Sequence, residues 1–175
     1  SRWRAETIPQ GISRSFGLIQ MTDTIELTIG SKFDFIEIVS SVTKGATELS
    51  GFDEDTSNWI ELAVRESVIN AIKHGNREAD DLPVDVTYSL DPTALTILVR
   101  DRGRGFDLAK VPDPLDPENL LNPNGRGIFY MKSFMDEVEF SKHPDGGTIV
   151  RMTKRQTHQD GNGKGETGSD GPSID

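Results

Sequence analysis

The stretch 61–76, ELAVRESVINAIKHGN, constrains the fold more than any other part of the chain. Apolar residues recur at Ile60, Ala63, Val64, Val68, Ala71 and Ile72, close to helical spacing. Asp53, Asp55, Thr56 and Ser57 put capping groups and negative charge near the start, and Gly75 with Asn76 supplies a stop. Glu66, Asn70 and His74 stand four apart, so a helix projects all three from one side. An acid, an amide and an imidazole in one row could hold a metal and a proton acceptor together. A solvated surface helix shows the same row, and the stretch by itself does not choose between the two.

The flanking segments alternate at the period of strands. Ile25, Leu27 and Ile29 mark a first strand, and Phe35, Ile36, Val39, Val42, Ala46 and Leu49 a helix over 33–49. Pro83 opens a second strand with Val84, Val86, Tyr88 and Leu90. Asp91-Pro92 turns the chain into a third, carried by Leu95, Ile97 and Val99 and ending at Asp101. The stretch 108–124 holds Pro112, Pro114, Pro117 and Pro123 and reads as a long functional loop. A short helix over 125–135, a fourth strand from Val138, a turn at Asp145-Gly146-Gly147 and a fifth strand over 148–152 complete the pattern. Hairpins with helices inserted between them predict an α+β two-layer sandwich: a mixed, mainly antiparallel sheet covered on one face by helices.

The 175 residues suit one domain, expected over 22–155. Residues 1–21 read as an N-terminal extension, with Met21 a candidate native start, and 156–175 as a Gly-rich, polar, disordered tail. A net charge of −10 repels an extended phosphate backbone, so nucleic acid is not the expected partner, while a local pocket for a small anion stays open. Without cysteine there are no disulfides, thiolate metal sites or cysteine nucleophiles. No apolar run is long enough to span a membrane, and the N-terminus lacks the apolar core of a signal peptide, so a cytoplasmic protein is expected.

Two glycine segments suggest a ligand. Asp101-x-Gly103-x-Gly105 follows directly from a strand, and its glycines let backbone approach a flat or anionic ligand. A dinucleotide fingerprint fails there, because Leu108 stands where the third glycine belongs. Gly163-x-Gly165-x-x-Gly168 matches that fingerprint literally but has no strand before it. Asn124-Gly125-Arg126-Gly127 precedes a helix, whose free N–H groups and dipole suit phosphate, with Arg126 as a charged donor. A hinge before a helix reads the same way, and Gly146-Gly147-Thr148 alone is a plain hairpin turn.

The order of these pieces is more specific than any one of them. RESVINAIKHGN, VRDRGRGFD and NGRGIFYMKSFMDEVEF, in that sequence, resemble the ATP-binding (Bergerat) fold shared by gyrase, Hsp90 chaperones, histidine kinases and MutL, and most closely the bacterial anti-sigma-factor serine kinases. The resemblance covers roughly 22–155. It implies ATP and Mg²⁺ as cofactors and Glu66 as the general base toward a serine hydroxyl. By the same resemblance Asn70 would bind Mg²⁺, Asp101 the adenine amino group with Thr148 in support, and Gly103 and Gly105 would allow close approach of purine and ribose. Gly125, Arg126 and Gly127 would contact phosphates, 108–124 would be the lid, and His74 would lie near the nucleotide or serve packing. The partners implied are a sigma factor and a small anti-sigma-factor antagonist, with homodimers usual. The competing readings are a non-catalytic nucleotide-binding module that only sequesters protein, and a histidine-kinase-type ATPase domain. The latter needs a phosphoacceptor histidine on a helical hairpin, and the histidines here are His74, His143 and His158.

Overall fold

A computed structural model describes residues 22–104 and 126–156. Strand β1 (Asp23–Ile29) leads through a single 3₁₀ turn (Phe33–Phe35) into α1 (Ile36–Leu49), then α2 (Glu54–Asn70), which runs into a π-helical turn (Ala71–Gly75). The hairpin β2 (Val84–Leu90) and β3 (Ala94–Arg100) follows, then α3 (Arg126–Phe134), β4 (Glu137–Lys142) and β5 (Thr148–Arg155). The sheet order is β1-β2-β3-β5-β4. Every described pairing is antiparallel, so the two-layer α+β expectation is borne out with a sheet narrower in type than the mixed one expected.

The register explains why the helices cover one face. Ile25, Leu27 and Ile29 lie opposite Tyr88, Val86 and Val84; Val86 and Tyr88 lie opposite Val99 and Ile97; those two lie opposite Val150 and Met152. Alternate residues therefore build one apolar face, and it shares a single core with Ile36, Val39, Ala46, Ile60, Val64, Val68 and Met131 of the helices. The opposite face carries Thr24, Glu26, Thr28, Asp85, Thr87, Glu139 and Arg151, a polar surface. In the core, Tyr88 bonds to Thr43 at 2.8 Å, and Thr43 donates to the Val39 carbonyl at 2.8 Å.

Helix α2 departs from its expected bounds at both ends. It begins at Glu54, because Asp53 caps it: the carboxylate accepts the Thr56 N–H at 2.8 Å and the Thr56 hydroxyl at 2.9 Å. It ends at Asn70, where the ladder widens and the Asn76 N–H reaches the Ala71 carbonyl at 2.7 Å. Gly75 therefore does not stop the helix by turning left-handed; among the described residues the glycines with positive φ are Gly51, Gly146 and Gly147. The widened turn also breaks the four-residue row. Glu66 and Asn70 stay on α-helical spacing and half-buried, while His74 lies in the π turn and is exposed.

Candidate active site

Asp101 stands one residue past β3 and is buried. Pairing of β3 with β5 continues through it: its N–H donates to the Thr148 carbonyl at 3.1 Å, and the Thr148 N–H returns to Asp101 Oδ2 at 3.1 Å. The Gly103 N–H donates to Oδ1 at 3.1 Å, and the Thr148 hydroxyl also bonds the carboxylate. Burial raises the Asp101 pKa, and the donors from Thr148 and Gly103 oppose that rise. Each carboxylate oxygen has two lone pairs, so acceptor capacity remains for a donor from outside the chain.

Three glycines let the backbone close around this carboxylate. A Cβ on Gly75 would sit 2.5 Å from Asp101 Oδ2, and one on Gly103 would overlap the Gly75 carbonyl. A Cβ on Gly147 would overlap the Asp101 carbonyl, and φ of +87° there adds a second requirement for glycine. The end of the α2 segment, the exit of β3 and the entry of β5 are thus in direct backbone contact at Asp101.

The second centre is Glu66. Trp59 of α2 stacks on Phe134 of α3 with ring centroids 4.1 Å apart, and Phe134 stacks in turn on Tyr130. Trp59 to Glu66 and Phe134 back to Gly127 are each seven residues, close to two turns, so the helices run antiparallel and the start of α3 reaches Glu66. A Cβ on Gly127 would lie 2.5 Å from Glu66 Oε2. Burial raises the Glu66 pKa, opposed among the described residues by the charge of neighbouring Arg65. The arrangement is a half-buried carboxylate held against the N-terminal turn of a helix.

Asn70, one turn beyond Glu66, is half-buried and offers an amide oxygen. Among the described residues no three His, Cys, Asp or Glu side chains gather as a metal set. A single neutral oxygen fits Mg²⁺, which keeps its waters and takes most remaining ligands from phosphate. His74 is exposed, and partial burial with the adjacent Lys73 charge lowers its pKa. Gly105, Gly125, the loop 108–124 and the side chain of Arg126 lie outside the described residues, as do 1–21 and 157–175.

The structure adds one residue that the sequence reading treated only as a helix stop. Asn76 is 2% exposed, accepts the Arg102 N–H at 2.8 Å and donates toward Ser31, Leu82 and Pro83. An asparagine after a glycine is an ordinary turn signal, so nothing in the pattern marked it out.

A family model described as the histidine kinase-like ATPase domain matches residues 35–154. The chain belongs to this family. The histidine kinase-like ATPase domain thus spans every described element except β1, the first two residues of the 3₁₀ turn and the last residue of β5. Curated relatives include the serine-protein kinase RsbW of Bacillus subtilis, 27% identical over 138 residues, covering 75% of this chain and 85% of that protein. RsbW of Bacillus cereus (strain AH187) is 26% identical over 155 residues, covering 83% and 95%. RsbW of Halalkalibacterium halodurans is 28% identical over 142 residues, covering 78% and 85%. The motif-level resemblance to anti-sigma-factor serine kinases is borne out by these matches. Membership in an ATPase-domain family implies ATP as the nucleotide. No described helix is long and apolar enough to cross a membrane.

Proposed function

We propose that this histidine kinase-like ATPase domain is an ATP-dependent protein-serine kinase that also works as an anti-sigma factor, phosphorylating a small antagonist protein and sequestering a sigma factor. The observation that carries the reading is the contact of the Glu66 carboxylate with Gly127 at the opening of α3. A helix N-terminus with glycine next to it suits phosphate, and a carboxylate there is within reach of a hydroxyl approaching that phosphate. Glu66 takes the proton from a serine hydroxyl of the partner. Asp101, supported by Thr148, accepts the adenine amino group, and Gly103 and Gly105 leave room for purine and ribose. Gly125, Arg126 and Gly127 hold phosphate oxygens, and 108–124 closes over them. Mg²⁺, with Asn70 as its protein ligand, would neutralise phosphate charge when bound. His74 lies at the rim of the nucleotide site, and the working unit is a cytoplasmic homodimer. RsbW relatives named serine-protein kinases support this assignment.

The experiment is a transfer assay. The chain is incubated with labelled Mg-ATP and each small protein recovered with it from its native cell. Label on a serine of one partner, lost in Glu66→Gln, is expected. Absence of label on every partner, with ATP bound, would replace the kinase by a sequestering module.

A further inference from the structure

Asn76 uses every polar group of its amide. Nδ2 lies 2.8 Å from Ser31 Oγ, 3.0 Å from the Leu82 carbonyl and 3.0 Å from the Pro83 carbonyl, while Oδ1 accepts the Arg102 N–H at 2.8 Å. The Ser31 hydroxyl itself donates to the Leu82 carbonyl at 2.5 Å. Ser31 follows β1, Leu82 and Pro83 precede β2, and Arg102 follows β3. One buried side chain therefore joins three strand ends to the end of the α2 segment. The next two residues, Arg77 and Glu78, have φ of 55° and 58°, a left-handed pair without glycine that persists only where surroundings over-determine it.

The link to Arg102 differs from the others in kind. The three donor contacts brace the loops before β2 and after β1. The acceptor contact fixes the peptide plane between Asp101 and Arg102, and with it the direction of the Asp101 side chain. We infer that Asn76 is a positioning residue for base recognition: its Oδ1 bond to the Arg102 N–H aims the Asp101 carboxylate, and so sets the preference for a purine with a 6-amino group. This rests on the reading of Asp101 as the adenine acceptor. Beyond β3 the Arg102 amide has no strand partner among the described residues, and Asn76 is the group that holds it there. The salt bridge of Arg102 with Asp85 at 2.7 Å anchors the side chain of the same residue to β2.

The test compares affinity for ATP with that for purine riboside triphosphate, which lacks the 6-amino group. Asn76→Leu, isosteric but unable to accept, is expected to lose about tenfold in ATP affinity and little for the analogue. Asn76→Asp keeps an acceptor for Arg102 and is expected to keep the ATP preference even where its melting temperature falls. Equal weakening of both nucleotides in Asn76→Leu would make Asn76 a fold support only and overturn the inference. Amide exchange on the unaltered chain gives a second check independent of any variant's folding. The Arg102 N–H is expected to be protected like a strand amide before nucleotide is added, and free exchange there overturns the inference. Asp101→Asn is measured in parallel. If it leaves the ATP preference intact, the adenine reading falls and takes this inference with it. If it abolishes the preference and Asn76→Leu does not, only the role of Asn76 falls.

Discussion

Asp101 and Glu66 are both carboxylates whose pKa burial raises, yet they sit in opposite kinds of surroundings. Asp101 receives N–H groups from Gly103 and Thr148 and is walled by backbone at Gly75, Gly103 and Gly147. Among the described residues, Glu66 has the charge of Arg65 set against its burial, and its close constraint is the missing side chain of Gly127. A carboxylate held by several donors is fixed in direction and suits reading a ligand. One that is desolvated without compensation has a raised affinity for a proton and suits accepting one during a reaction. The proposed division between recognition and chemistry rests on this difference in how each acid is satisfied.

The sharpest test of that contrast is Glu66→Gln. Phosphoryl transfer is expected to fall by roughly 10²–10⁴ with ATP affinity within a few fold, measured by single-turnover transfer and calorimetry. Transfer at the rate of the unaltered chain would remove Glu66 from the chemistry. Gly127→Ala presses on the same carboxylate from outside. Displacing Glu66 by part of an ångström is expected to slow transfer about 10- to 100-fold while circular dichroism and ATP binding stay near normal. At the other end Asp101→Asn exchanges a charged acceptor for a mixed group, and a charge-assisted hydrogen bond of roughly 1.5–3 kcal/mol corresponds to one or two decades in ATP affinity. Unchanged affinity by calorimetry would break the comparison at its recognition end.

The pH dependence separates the two acids further. Glu66 accepts a proton only when ionised, so transfer is expected to fall with decreasing pH through a value above its ordinary 4.5. The sign for stability is the reverse. A carboxyl with a raised folded pKa contributes stability that is present below the unfolded value and lost as pH rises through the folded one. Glu66→Gln should therefore leave the melting temperature at neutral pH unchanged or higher, checked by calorimetry across pH 4–8. The smallest expected effect lies away from both acids. Tyr88→Phe removes the bond to Thr43, which keeps its bond to Val39, so about 1 kcal/mol of stability should be lost in urea unfolding with no change in transfer.

Much of the layer architecture was legible because alternation in β1 and β2 is strict and the turn at Asp91 is chemically explicit: its Oδ1 accepts the N–H of Thr93 at 2.7 Å and of Ala94 at 3.0 Å. Helix α2 was legible as an apolar stripe, and its capping aspartate was among the candidates, yet its first turns were missed because Glu54 to Asn58 carry no apolar period. Glu66, Asn70, Asp101 and Thr148 were singled out by motif order, since each belongs to a short local pattern, and the fold brings Asp101 and Thr148 into hydrogen-bond contact. Asn76 was not, because its four partners come from Ser31, Leu82, Pro83 and Arg102, and no local pattern reports contacts that far apart.

The amino-acid order by itself determined the strands, the helical stripes and which carboxylates stand at their ends, because these follow from side-chain period and from the chemistry of neighbours in the chain. Tertiary structure alone decided what the glycines are for. Gly75 and Gly103 read as a helix stop and a ligand-facing turn, and in the fold they are the places where backbone meets Asp101 and where backbone meets backbone. It also decided that the ladder widens after Asn70, taking His74 off the row of Glu66 and Asn70. The physical reason is the same in both cases: close packing between segments distant in sequence sets which positions have room for a Cβ and where a helix must yield.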